Sequence, residues 1–261
     1  ALPILVRGLY TGWKGMENEQ KRLDIISNNL ANSSTVGFKS EGVTNQSFDD
    51  VLTIKVRDAS NTNNNSVLGK MTPGVKIGEI YTDYTQGSLR ESSGTYDMAI
   101  EGTGFFAVSV VDKAGNESTK YTRAGQFLMD KEGYIVDVNG NKLLSESGYL
   151  QVPSETGSVA VDLNGNVYAD NQLVDTIKLV DFEDYNYLKK FGDTMYGTVE
   201  GAIEKEATGA IRQGYTEQSN VNVVSEMVDL IAITRAYEAN QKIIQTMDTT
   251  LELAATSVGK V

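Results

Sequence analysis

Two oxygen-rich segments, DVNGN at 137–141 and DLNGN at 162–166, hold the residue spacing in this chain closest to a known chemistry. Side-chain oxygens alternate at Asp137, Asn139 and Asn141, and again at Asp162, Asn164 and Asn166, as in the first half of a calcium loop. A complete loop of that type also needs glycine at position six and a bidentate glutamate at position twelve. Those positions hold Lys142 and Gly148 in one segment and Val167 and Leu173 in the other, so both read instead as Asn-Gly hairpin turns of the two-residue kind, with AGNES at 114–118 a weaker third. Gly102-Thr-Gly104-Phe-Phe-Ala107 fits a dinucleotide fingerprint formally, but the residues that follow, Val108 to Val111, are strand-like where a helix is required. A tight bend within a sheet is expected there. Asp83, Glu91, Asp97 and Glu101 are carboxylates of the sort that hydrolyse glycosides in pairs, yet 35 acidic residues leave no pair distinguished. With no histidine and no cysteine, serine–histidine and thiolate catalysis and ordinary zinc sites are excluded. No catalytic residue, metal site or cofactor is expected.

A formal net charge of −12 disfavours nucleic acid and anionic membrane surfaces as partners, since phosphate binding needs a basic patch. No run of about 20 apolar residues is present to insert into a membrane as a helix. The start, ALPILVRGLYTGWKG, lacks a basic region ahead of its apolar patch and does not read as a secretory signal peptide.

The elements that must carry any function lie at the two ends. Leu9, Met16, Leu23 and Leu30 recur every seven residues, with Trp13 and Ile26 in the same stripe, and predict an N-terminal helix. Gly8, Gly12 and Gly15 weaken its first turns, each by up to about 1 kcal/mol relative to alanine. It should end in NNLANSSTVGFK, where Asn and Ser side chains compete for the backbone and Gly37 permits a sharp exit. Towards the other end, Val223, Leu230, Tyr237, Ile244, Leu251 and Val258 keep the same period, with Ile233, Asn240, Met247 and Ala254 at the second seam position and Asn220 or Asn222 available to cap the start. These sixteen stripe residues form the candidate assembly interface. An intramolecular helix hairpin is the plainer reading. Packing against other copies is favoured because each buried Leu or Ile contributes about 1.5 to 3 kcal/mol and a two-helix seam leaves much surface uncovered.

The middle of the chain alternates as strands do, in YDMAIEGTGFFAVSVVD at 96–112 and TIKLVDF at 176–182. SNTNNNS at 60–66 reads as an exposed loop and DYNYLKKFG at 184–192 as a short helical turn. The expected fold class is α+β. Residues 1–39 hold the N-terminal helix and exit turn, 40–95 an extended connector, 96–219 a β-rich, mostly antiparallel outer domain, and 220–261 the C-terminal helix, which completes a coiled-coil-like inner domain.

The segment RGLYTGWKGMENEQKRLDIISNNLANSSTVGFKSE at 7–41 resembles the N-terminal signature of bacterial flagellar rod and hook proteins. Asn28, Asn29, Leu30, Ala31, Asn32, Gly37, Phe38 and Lys39 carry that signature, and Ser33 and Ser34 depart from its usual pattern. SNVNVVSEMVDLIAITRAYEANQKIIQTMDTTLELA at 219–255 is similar to the matching C-terminal signature, and 96–108 and 121–144 are similar to the family's central β domain. The resemblance implies a non-enzymatic subunit of the basal-body rod, polymerising helically through its terminal helices around an axial export channel and transmitting torque. Its implied partners are further copies of itself, adjacent rod and hook subunits, the surrounding ring proteins and the flagellar export apparatus. The implied location is the flagellar basal body in the cell envelope outside the cytoplasmic membrane, reached by type III export without a cleaved signal peptide. LYTGWKGM and VNVVSEM suit a distal-rod subunit, while RLDIISNNLAN also resembles a proximal-rod paralogue. Two other classes compete with this one: a secreted β-domain adhesin or calcium module using Asp137 and Asp162, and a carbohydrate-active enzyme.

Overall fold

Helix α1 runs from Leu2 to Ala31 and helix α2 from Val223 to Val258, the two longest elements of a chain otherwise built from short strands. A computed structural model describes residues 2–47, 51–54, 67–71, 74–112, 115–153 and 156–258. The polar loop expected at 60–66 lies outside these residues. Helix α1 stops where the Asn- and Ser-rich run begins to compete for its backbone, and Gly37 takes φ +70° at the exit, a conformation that other residues rarely adopt. Helix α2 has no internal glycine or proline and carries Glu226 in its first turn, where a negative charge complements the exposed N–H groups.

The chain divides into two compact units, each assembled from separated segments. The helical unit contains residues 1–30, 41–82 and 223–261. The expected exit turn and connector are thus shared out differently: residues 31–40 belong with the β-rich unit, and 41–82 with the helices. Strands β1 (Glu41–Ser47), β2 (Val51–Ile54), β3 (Val67–Met71) and β4 (Val75–Thr82) lie in the helical unit, where β1 pairs antiparallel with β4 and β2 with β3. The helices lie side by side in opposite directions. A methyl group built on Gly8 would meet Met247 Cε at 2.5 Å, one on Gly12 would meet Ile244 Cγ1 at 3.2 Å, and one on Gly15 would meet Asn240 Nδ2 at 3.0 Å. The glycines that weaken α1 as an isolated helix are therefore positions where α2 comes close, and a side chain added there would press on Met247, Ile244 or Asn240.

The β-rich unit comprises residues 31–40 and 83–222. It contains β5 (Leu89–Glu91), β6 (Met98–Glu101), β7 (Phe105–Val111), β8 (Glu117–Thr122), β9 (Phe127–Met129), β10 (Ile135–Asp137), β11 (Lys142–Leu143), β12 (Val159–Val161), β13 (Asn166–Ala169), β14 (Gln172–Thr176), β15 (Leu179–Phe182), β16 (Leu188–Phe191), β17 (Met195–Thr198), β18 (Glu204–Glu206), β19 (Ala210–Gln213) and β20 (Tyr215–Glu217). Every strand pairing among the described residues is antiparallel. Nine strands form one sheet with β7 at its centre, bonded to β8, β11 and β15. The near-continuous apolar run of β7 is explained by its two buried faces: Phe106 and Val108 enter one core cluster with Phe127, Ile135 and Leu143, while Phe105 and Ala107 enter another with Tyr121, Phe182 and Tyr196.

Gly102 and Gly104, at φ +111° and +123°, make the bend between β6 and β7 that the sequence suggests, and no helix follows. The Asn-Gly turns differ from expectation. At 137–141 the Asp137 N–H donates to Asn141 O at 2.9 Å, Gly140 N–H donates to Asp137 O at 3.0 Å, and Gly140 has φ +84°. This is a three-residue loop, a type I turn closed by a left-handed glycine, rather than a two-residue loop. The same pair of bonds recurs from Asp112, Asp130 and Asp162. An aspartate at the first position favours this form by accepting from the backbone two residues on, as Asp137 Oδ1 does from Asn139 N–H at 2.8 Å. The expected strand at 176–182 is interrupted, with β14 ending at Thr176 and β15 starting at Leu179. The helical turn expected at 184–192 is confined to Tyr185–Tyr187, capped by Asp184, before β16 begins.

Candidate assembly interface

Along α2 the seam residues Val223, Leu230, Tyr237, Asn240, Ile244, Met247 and Leu251 are half-buried and Ile233 is fully buried. Along α1, Leu9, Met16, Leu23, Ile26 and Leu30 are half-buried. Trp13 and Ala254 are exposed, and the side chain of Val258 lies outside the described residues. The closest glycine contacts fall on this seam at Asn240, Ile244 and Met247, so part of the stripe meets within one chain. Asn240 faces Gly15 there.

The opposite side of α2 holds what the seven-residue stripe hides. Val228 is 61% exposed and Ile231 51%, with Val224 and Met227 also exposed, and these four recur at helical spacing. Their signal is present in the sequence as apolar residues at 224, 228 and 231, but the longer stripe dominates any periodicity count.

The signature residues act in two places. In the helical unit the Asn29 side chain is buried and bonds to β1 as a neighbouring strand would: Nδ2 donates to Glu41 O at 2.8 Å and Oδ1 accepts from Glu41 N–H at 3.0 Å. Nδ2 also reaches Glu226 Oε1 at 3.2 Å. Burial pushes the Glu226 carboxyl above its ordinary range, with the Asn29 bond opposing the shift and the Asp229 charge adding to it. Asn28 is exposed.

In the β-rich unit, Phe38 and Lys39 are both fully buried. Lys39 Nζ donates to Glu217 Oε1 at 2.5 Å and to Thr85 O at 2.7 Å, while Arg123 Nη1 lies 3.3 Å from Glu217 Oε2 and its Nη2 donates to Gly102 O at 2.8 Å. Gly87 N–H donates to Glu217 Oε1, and Gly37 N–H to Glu217 O. Burial lowers the Lys39 pKa from its ordinary value, and the Glu217 charge opposes that shift. One glutamate thus holds two buried cations and two backbone amides. Next to it, Asn220 accepts from Ser40 N–H and donates to Asp83 O at 2.8 Å, so its side chain does not cap α2. Thr35 and Asn32 close the intervening turn through Thr35 Oγ1 to Asn32 Oδ1 at 3.0 Å.

The candidates for chemistry are dispersed. Asp137 accepts from the Asn139 and Asn141 backbones and the Asn141 side chain, and Asp162 from Leu163 N–H. Asp83 caps Thr85, Glu91 accepts from Tyr215, Asp97 from Ser92, and Glu101 pairs with Arg212. Among the described residues no three acidic side chains converge as metal ligands would. No described helix is long and apolar enough to cross a membrane.

Comparison with known proteins finds three family matches in chain order. Residues 9–39 match "Flagella basal body rod protein", 99–169 match "Flagellar hook protein FlgE/F/G D1 domain", and 212–256 match "Flagellar basal body rod FlgEFG protein C-terminal". The flagellar basal-body rod protein FlgG of Bacillus subtilis is 32% identical over 268 residues, covering 95% of this chain and 97% of that one. FlgG of Caulobacter vibrioides is 33% identical with the same coverage of each, and FlgF of Caulobacter vibrioides is 34% identical with 96% of each chain covered.

Proposed function

This chain belongs to the flagellar basal-body rod protein family, a structural and non-enzymatic family, and from that premise we propose that it polymerises helically through its terminal helices to build part of the rod. The observation that carries the reading is the apolar face of α2 at Val228 and Ile231, which stays exposed after the seam on the other side of the helix has met α1. Further copies supply the missing cover through a heterologous, non-closing contact. In this reading the helical unit lines the axial export channel, the β-rich unit faces outward towards the surrounding ring proteins, and the assembly transmits torque. Neighbouring rod and hook subunits contact its ends. The chain reaches the basal body through the flagellar export apparatus without a cleaved signal peptide.

The distal rod is the favoured position, supported by full-length similarity to several FlgG proteins. A proximal position is the second reading, supported by the FlgF relative at 34% identity. Purified full-length chain at rising concentration should form tubes or filaments under the electron microscope, and removal of residues 220–261 should abolish them. Monomer at every concentration would refute polymerisation. Basal bodies isolated from cells lacking the chain decide the position: a shortened rod indicates the distal segment, and loss of the rod near the cytoplasmic membrane indicates the proximal one.

A further inference from the structure

On the side of α1 away from the seam, Tyr10, Glu17 and Asp24 recur every seven residues, with Trp13 and Lys21 beside them. On the corresponding side of α2, Val228, Arg235 and Lys242 recur at the same interval, with Ile231 and Glu238 beside them. Asp24, Arg235, Glu238 and Lys242 are exposed and make no ion pair among the described residues. Glu17 is engaged within its own helix by Lys14 at 2.8 Å and Lys21 at 3.6 Å.

We propose, resting on the rod reading above, that the outer face of α1 in one copy docks antiparallel on the outer face of α2 in the next copy, setting Asp24 against Arg235, Lys21 against Glu238 and Glu17 against Lys242. A single alignment satisfies all three, because each step of seven residues along one helix matches a step of seven along the other. Tyr10 then meets Thr249, and Val228 meets Ala31 at the other end. A parallel alignment also matches charges, Glu17 with Arg235 and Asp24 with Lys242. It requires copies turned end over end, which closes a dimer and cannot grow, whereas copies related by a screw axis along the helices keep α1 and α2 antiparallel across the contact.

The register carries a further consequence. Within one chain, Gly12 lies opposite Ile244 and Gly15 opposite Asn240. The proposed contact is offset from that alignment by about four residues, or about 6 Å of helix rise. Each added copy is therefore displaced along the axis, and the array climbs as it turns. Charge matching selects this register by the number of opposite pairs formed: a slide of seven residues sets Glu17 against Arg235 and Lys14 against Glu238 but leaves Asp24 against Val228 and Lys242 against Tyr10.

The experiment uses the full-length chain and follows sedimentation and electron microscopy against concentration. Arg235→Glu should raise the concentration for half-assembly by about tenfold or more, and Asp24→Arg should do the same, with helix content unchanged by circular dichroism. The chain carrying both substitutions should regain assembly. Because the protein has no cysteine, Asp24→Cys combined with Arg235→Cys should give a ladder of disulfide-linked multimers on oxidation, whereas Asp24→Cys with Lys242→Cys should not. Failure of the double reversal to restore assembly, or cross-linking that stops at dimers, overturns this docking while leaving the rod reading intact. Absence of assembly by the unsubstituted chain overturns both.

Discussion

The two units close their cores to different degrees. Of the buried apolar residues among those described, Ile233 alone lies in the helical unit, and all the others belong to the β-rich unit. Helix α2 meanwhile leaves Val228, Ile231 and Leu253 mostly exposed. The β-rich unit buries β7 on both faces and seals three charged groups beneath the exit turn. Among its described residues the helical unit has one buried apolar side chain and a glycine-lined seam. The difference teaches that one unit closes its core with its own strands while the other, among its described residues, closes little of one, which is where the proposed assembly would act.

The largest effect should come from the sealed cluster. Glu217→Gln leaves Lys39 and Arg123 buried without their anion and should destabilise the β-rich unit by about 3 to 5 kcal/mol in urea unfolding. A loss below about 1 kcal/mol would mean that water reaches the cluster, and the contrast between the units would weaken. Ile233→Ala should cost the helical unit about 2 to 5 kcal/mol, read as faster amide exchange along α1 and α2 with the β-rich unit unchanged. Val228→Ala, on the exposed face, should stay within about 0.5 kcal/mol in the monomer and act only on assembly. Gly12→Leu should cost about 1 to 3 kcal/mol by forcing Ile244 aside, and equal stability of the variant would show that the helices are not held together at that point.

Smaller effects test the β-rich unit alone. Burial and a hydrogen bond to Asp181 push the Tyr185 phenol up to about 12. The unfolded chain releases that proton first, near pH 10, so stability should fall as pH rises from about 10 towards 12 and recover in part in Tyr185→Phe. A pH profile identical in the substituted protein would deny the tyrosine this role. Gly140→Ala should cost about 1 to 2 kcal/mol, because φ +84° is unfavourable for alanine although nothing lies within 4 Å of the added methyl. Thermal unfolding would show it as a shift in Tm.

Much of this was legible from local pattern. The seven-residue stripes locate both helices, glycine beside Asn or Asp locates the turns, and the apolar run at 105–111 locates a strand buried on two faces. The signature residues are also legible, but their separation into two tasks is not. Asn29 ties α1 to β1, whereas Lys39 is paired with a residue 178 positions away in the sequence. No periodicity or spacing connects Lys39 with Glu217, and a lysine read in isolation is expected at the surface.

By itself the sequence determined the α+β class, the helical ends, the turn-rich middle and the family. These depend on propensity and periodicity, which act over a few residues at a time. Only the tertiary structure decided which side of each helix meets its partner, that three helix-weakening glycines of α1 face α2, and that the exit turn packs with the β-rich unit over a buried glutamate. A stripe specifies that a face will be covered, but what covers it is set by residues some 200 positions apart that come together only on folding.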